Sequence, residues 1–162
     1  MVHAAVVLVP LAAIAFAATG WKDTWRRAYS FPVALLAAGG AVAAFLAKES
    51  GDPLEEAVRR AARAAGEGRP SFGDHPENGD TAFVFAMTFG IFAIAFWAVN
   101  FIYNRQRTAK GGKLNQLPAW TPIASYLVAL VPAVLALITM VIAGHSGATL
   151  AWKDVGTYAA GK

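Results

Sequence analysis

The sequence predicts an all-α fold, an integral membrane four-helix bundle with both termini on the outer side. Two observations predict this class. Of the 162 residues, 57% are hydrophobic and only 15% are charged, whereas soluble domains carry roughly 25% charged residues. The charges are also clustered, and this leaves four long stretches without Asp, Glu, Lys or Arg: 1–21, 28–47, 81–104 and 114–151.

Each charge-free stretch is long enough to cross a bilayer as a helix. About 20 apolar residues span the ~30 Å hydrocarbon core, and backbone groups in lipid must be paired within the segment, which favours helices. The first stretch has no basic residue before its apolar core, so we expect a retained span and not a cleaved signal. Pro32 fits the first turn of the second span. We expect one transmembrane domain, 1–162, with spans at about 2–20, 32–47, 81–102 and 120–143.

The connecting segments predict the orientation. The first contains Lys22, Arg26 and Arg27 with a single acid, and the third, 104–119, contains four basic residues and no acid. Between Lys48 and Asp80 there are five basic and eight acidic residues. Because basic connections stay in the cytoplasm, we expect a bacterial cytoplasmic (inner) membrane protein with the second connection and both termini outside. The net charge of +4 reflects this sidedness and does not indicate binding to nucleic acid.

The second connection predicts a short helix at about 53–65. Asp52 is a suitable N-cap and Pro53 a suitable first helical residue. Five apolar residues then share one face: Leu54, Val58, Ala61, Ala62 and Ala65. We expect an amphipathic helix lying on the outer surface, as either a solvated spacer or a functional lid.

Small residues predict the packing faces, because helices in lipid associate through close contacts of Gly, Ala, Ser and Thr. We assign two such faces to the bundle interior: Ala37, Ala38, Gly39, Gly40, Ala41, Ala43 and Ala44 in the second span, and Ser125, Ala129, Pro132, Ala136, Thr139 and Ala143 in the fourth. A stripe of phenylalanines in the third span favours a surface towards lipid or a partner protein: Phe85, Phe89, Phe92 and Phe96.

The three histidines are the candidate functional residues. The predicted topology places His3, His75 and His145 together on the outer side, and imidazole ligates haem iron, zinc and copper. Four acids on the same side could complete a metal site: Glu49, Asp74, Glu77 and Asp80. The histidines could equally be interfacial or capping residues, and the acids could be helix-start residues. Without cysteine the chain holds no thiolate ligand, and no self-contained catalytic constellation is seen, so enzymatic activity stays open.

Four short elements resemble a family of small bacterial membrane proteins that has no settled activity. They read Val2-His3, Glu49-Ser50-Gly51, the segment 75–80 (HPENGD) and the segment 144–148 (GHSGA). Relatives usually carry an H-P pair ahead of the V-H, which this sequence does not contain; were that histidine a ligand, we would expect an incomplete site here. Pro76 and Asn78 also stand where the family more often has Ala and Leu.

The resemblance implies a place near membrane electron transfer, because some relatives are similar to fusions with Rieske-type ferredoxin domains. Two hypotheses follow. One is an accessory subunit of a membrane assembly, such as a respiratory complex, which binds lipid and other membrane subunits and no cofactor. The other is a redox protein whose outer histidines bind haem b or a transition metal. A transporter is less favoured, because no span carries an internal charge.

Overall fold

The computed structural model describes residues 2–66, 68, 70–108 and 117–152, with side chains from residue 4 onward. Four helices account for nearly all of them: α1 (Val2–Thr19), α2 (Asp23–Ala64), α3 (His75–Thr108) and α4 (Thr121–Trp152). Within these residues there is no strand. The predicted all-α class is confirmed.

The helices form a closed antiparallel bundle. Each packs against the next in sequence, and α1 also packs against α4. The turn between α1 and α2 is only three residues long, Gly20–Lys22, and short connections make neighbouring helices antiparallel. One end of the bundle therefore gathers the starts of α1 and α3, the middle of α2 and the end of α4; we call it the histidine end. The opposite end, with the starts of α2 and α4, is the basic end.

The outer surface of the bundle is that of a membrane protein. α2, α3 and α4 are long and apolar enough to cross a bilayer. α1 is apolar but shorter, with 18 residues and hence a length of roughly 27 Å. Large apolar side chains stay exposed along the helices, for example Leu35, Ile91 and Val131 at 61–63%. A soluble monomer rarely exposes so much contiguous apolar surface, whereas lipid accommodates it.

Glycines and alanines set the helix spacing, as the small-residue pattern predicted. A Cβ at Gly40 would lie 2.9 Å from Val9 of α1, and one at Gly90 would lie 2.9 Å from the Cβ of Ala41. Among the predicted small residues, Ala129, Ala136 and most of the α2 set are buried, whereas Gly39 is exposed. Close backbone contact of this kind gives the dispersion energy that holds helices together in lipid.

An aromatic cluster fills the bundle towards the basic end, and it includes two of the four phenylalanines that were predicted to face lipid or a partner protein. Phe89 and Phe96 are 1% and 3% exposed, and their ring centroids lie 5.7 and 4.9 Å from that of Phe16. Tyr126 stacks on Phe16 and donates a hydrogen bond to the carbonyl of Ala17 at 2.9 Å. The prediction was wrong for Phe89 and Phe96, because both rings pack against Phe16 in the bundle interior.

Three of the helices, α2, α3 and α4, extend well beyond the predicted spans, whereas α1 matches its span closely. α2 begins at Asp23, so Pro32 is an interior residue and not part of a first turn. It then continues through Pro53 to Ala64 without a break, so the predicted separate helix at 53–65 is the distal part of α2, which we call the arm (residues 52–64). At the basic end Asp23 pairs with Arg26 and Arg27 along the helix, and such i,i+3 and i,i+4 pairs stabilise helical turns in water.

Candidate functional site at the histidine end

His75 joins the start of α3 to the end of α4. Its ring is half-buried, and Nδ1 lies 3.0 Å from Oγ of Ser146. The ring also lies over Gly147, where a Cβ would approach Cε1 of His75 to 2.9 Å. Glycine at this position therefore creates the space that the imidazole occupies.

The hydrogen bonds of Ser146 determine which nitrogen of His75 is available. Oγ of Ser146 also lies 3.0 Å from the carbonyl oxygen of Ala143, which can only accept. A hydroxyl has one proton, so it donates to Ala143 and accepts from Nδ1–H of His75. In the neutral ring this places the proton on Nδ1 and leaves the lone pair on Nε2.

The other two histidines are at the same end of the bundle. His145 precedes Ser146 in α4 and is exposed. His3 lies in the first turn of α1, and its side chain lies outside the described residues. α1 and α4 touch here, because a Cβ at Gly144 would meet Val6 at 3.0 Å. The fold thus brings together the ends that carry the three histidines, and the ring of His75 contacts α4.

The four acids that were predicted to complete a metal site have different surroundings. Asp80 forms an ion pair with Lys48 of α2 and links α2 to α3. Glu49 and Asp74 are exposed, and Glu77 is exposed in the first turn of α3, where its charge favours the helix dipole. Among the described side chains, no three His, Cys, Asp or Glu residues come close enough together to hold a metal ion.

The arm borders a cleft beside the segment that returns to α3. The cleft is about 310 Å³ in volume and is lined mainly by Glu55, Arg59, Phe72 and Pro76. Arg59 donates to Glu55 at 2.8 Å and places its guanidinium 5.2 Å from the centre of the Phe72 ring. These contacts attach the returning segment to the arm. The large apolar side chains exposed on the arm are Leu54 at 66% and Val58 at 40%.

Sequence reasoning placed the histidines at one end but missed their partners. Ser146 was noted only as part of the segment 144–148, whereas its hydroxyl contacts His75 from another helix. Lys48 was used only in counting charge, although it holds Asp80. The one available signal was the glycine after Ser146, since small residues at a helix end permit a close approach.

Comparison of the chain with protein-family models, with curated proteins and with solved structures finds no match.

Proposed function

We propose that the protein is an accessory subunit of a membrane electron-transfer assembly in the bacterial inner membrane, with four spans and the histidine end outside. The bundle interior supports a structural role: among the described residues its core is mostly alanine and aromatic side chains, with Val9, Val33 and Met140. No buried side-chain nitrogen or oxygen among them lacks a hydrogen-bond partner. Such an interior provides a scaffold and not a substrate chamber.

The arm is the observation that carries this proposal. α2 continues beyond its apolar part for residues 48–64, which corresponds to about 25 Å of helix. Leu54 and Val58 lie one turn apart on it and are exposed. An apolar pair at i and i+4 on a helix outside the lipid is a typical anchor for a partner protein. The link to electron transfer comes from the resemblance to a family with Rieske-type fusions.

Co-purification from native membranes tests the proposal. Tagged protein extracted in a mild detergent should bring down a stoichiometric complex that contains redox cofactors. Leu54→Asp combined with Val58→Asp should abolish this association, because it places charges on the apolar pair. Glu56→Gln combined with Arg60→Gln is the matched control: both side chains are about two-thirds exposed, and their ion pair is long at 3.8 Å. Recovery of the chain alone, or loss of the complex in both double variants, would contradict the accessory role.

A second candidate function is haem or metal binding through the histidines. The contact between His75 and Ser146 favours it, because ligating histidines usually donate their second N–H to a neighbouring acceptor, which orients the ring. Nε2 of His75 would be the ligating atom, and His3 or His145 would supply a second imidazole.

An absorption spectrum with metal analysis tests this alternative. A Soret band or bound metal should disappear in His75→Ala and in either His3→Ala or His145→Ala. Ser146→Ala should keep the band but shift the midpoint potential of the bound haem or metal, because the His75 ring loses its orienting partner. A colourless, metal-free protein from native membranes would contradict this role and leave the accessory role standing.

A further inference from the structure

The basic end carries more positive charge than its own acids neutralise. The described charged residues there are five cations, Lys22, Arg26, Arg27, Arg105 and Arg107, and one carboxylate, Asp23. Arg26 and Arg27 bind that carboxylate at 3.0 and 2.6 Å. Lys22, Arg105 and Arg107 have no carboxylate within 4.0 Å among the described residues.

Arg107 differs from the other two because it lines a cleft. The cleft lies between the end of α3 and the start of α4, has a volume of about 340 Å³ and is lined by Tyr103, Gln106, Arg107, Leu117 and Ala119. Small-molecule sites in proteins begin at roughly 300 Å³. The guanidinium of Arg107 lies 5.7 Å from the centre of the Tyr103 ring, a distance at which the ring helps to orient the cation.

The walls of the cleft are fixed by a contact between its two sides. The backbone N–H of Leu117 donates to the side-chain oxygen of Gln106 at 2.9 Å, which holds the segment leading to α4 against the last turns of α3. Trp120, just before α4, is 64% exposed, and apolar side chains of α4 such as Leu127 at 56% are exposed beyond it. Exposed tryptophan next to an apolar helix is typical of the depth of lipid head groups.

We propose that this cleft binds the phosphate of an anionic phospholipid, such as phosphatidylglycerol, with Arg107 as its principal cation. The guanidinium presents paired N–H donors to two phosphate oxygens, and the acyl chains lie along the exposed apolar side of α4. Basic pockets between helix ends on the cytoplasmic side are suited to such head groups. The proposal does not depend on the accessory role, since it concerns the opposite end of the bundle.

The test compares lipid binding by variants in detergent at about 0.15 M salt, where distant charges are screened. Bound lipid is counted by native mass spectrometry during titration with phosphatidylglycerol. Parallel titrations use phosphatidylcholine, which carries no net charge, and inorganic phosphate, which has no acyl chains. Arg107→Gln should weaken the binding of phosphatidylglycerol about five-fold. This is the change in affinity that corresponds to the loss of one cation near a lipid surface. Arg105→Gln removes an equal charge from the same turn of α3 but does not line the cleft, and it should weaken binding less than about two-fold.

A second variant keeps every charge. Ala119→Trp fills the cleft and should reduce phosphatidylglycerol binding as much as Arg107→Gln does. The proposal would be overturned by equal losses in the two arginine variants, by wild-type binding in Ala119→Trp, or by displacement of the lipid by inorganic phosphate. Equal binding of phosphatidylcholine would do so as well, because it would show that the negative charge is not recognised.

Discussion

Arg26 and Arg27 contact the same carboxylate, that of Asp23, from different surroundings. The side chain of Arg26 is 9% exposed and that of Arg27 is 45% exposed. Arg26 also donates to the carbonyl of Gly20 at 3.3 Å, where α1 has ended. The chain has left the helix at Gly20, so this carbonyl has no partner in the helical ladder, and Arg26 satisfies it and ties the turn to α2.

Replacing each arginine by methionine should separate these two roles. Arg26→Met keeps the length of the side chain but leaves a buried carbonyl unpaired, so we expect the free energy of unfolding to fall by about 1–3 kcal/mol. Arg27→Met removes an exposed ion pair and should cost less than about 1 kcal/mol. Unfolding in mixed micelles measures both. Equal losses would show that Arg26 acts only as a partner of Asp23.

At the scale of single elements, α2 presents two adjacent glycines to different environments. A Cβ at Gly40 would meet Cγ2 of Val9 at 2.9 Å and its backbone nitrogen at 3.3 Å, whereas a Cβ at Gly39 would have nothing within 4 Å. Gly40 therefore sets the distance between α1 and α2, whereas a side chain at Gly39 would touch none of the described residues.

Alanine at the two positions should shift stability in opposite directions. Gly40→Ala forces α1 away from α2, and we expect a loss of about 1–3 kcal/mol from overpacking. Gly39→Ala adds a better helix former in open space and should be neutral or stabilising by up to about 1 kcal/mol. Thermal unfolding in detergent compares the two with the wild-type protein. A loss of stability in Gly39→Ala similar to that in Gly40→Ala would mean that α2 is rotated relative to α1 so that Gly39 also packs against a neighbouring helix.

The sequence predicted where the helices are apolar but not where they end. Lipid excludes charge over a fixed thickness, so charge-free stretches identify the buried part of each helix. Beyond the lipid, helix ends depend on local pairs such as Lys48–Asp52, and Pro53 stays inside α2 although proline usually favours a first turn. The inward position of Phe89 was also missed, because hydrophobicity alone does not distinguish lipid from a bundle interior.

At the scale of the whole molecule, the orientation in the membrane is open to direct labelling. The chain contains no cysteine, so each introduced thiol is unique. Glu56 on the arm and Thr24 near the basic end are both exposed. In spheroplasts a membrane-impermeant maleimide should label Glu56→Cys and should reach Thr24→Cys only after permeabilisation. Labelling of both without permeabilisation would show that α2 does not cross, and the reverse pattern would invert the topology.

The candidate site was predicted in position but not in its contacts. Charge counting on the connections is enough to group His75 and His145 at one end, because alternate connections lie on the same side of a bundle. The pairing of His75 with Ser146 depends on how far α3 and α4 extend beyond the lipid and on their rotation. Neither quantity is encoded in hydropathy.

The length of α2 limits which neighbours the protein can have. Leu54 and Val58 lie about 10 and 16 Å along the helix from Ala47, the last residue of the apolar stretch. A subunit confined to the bilayer would not reach these two side chains. In the proposed assembly, a neighbour that covers both side chains must itself rise above the head groups, so we expect it to carry a folded domain on the same side of the membrane as the histidine end.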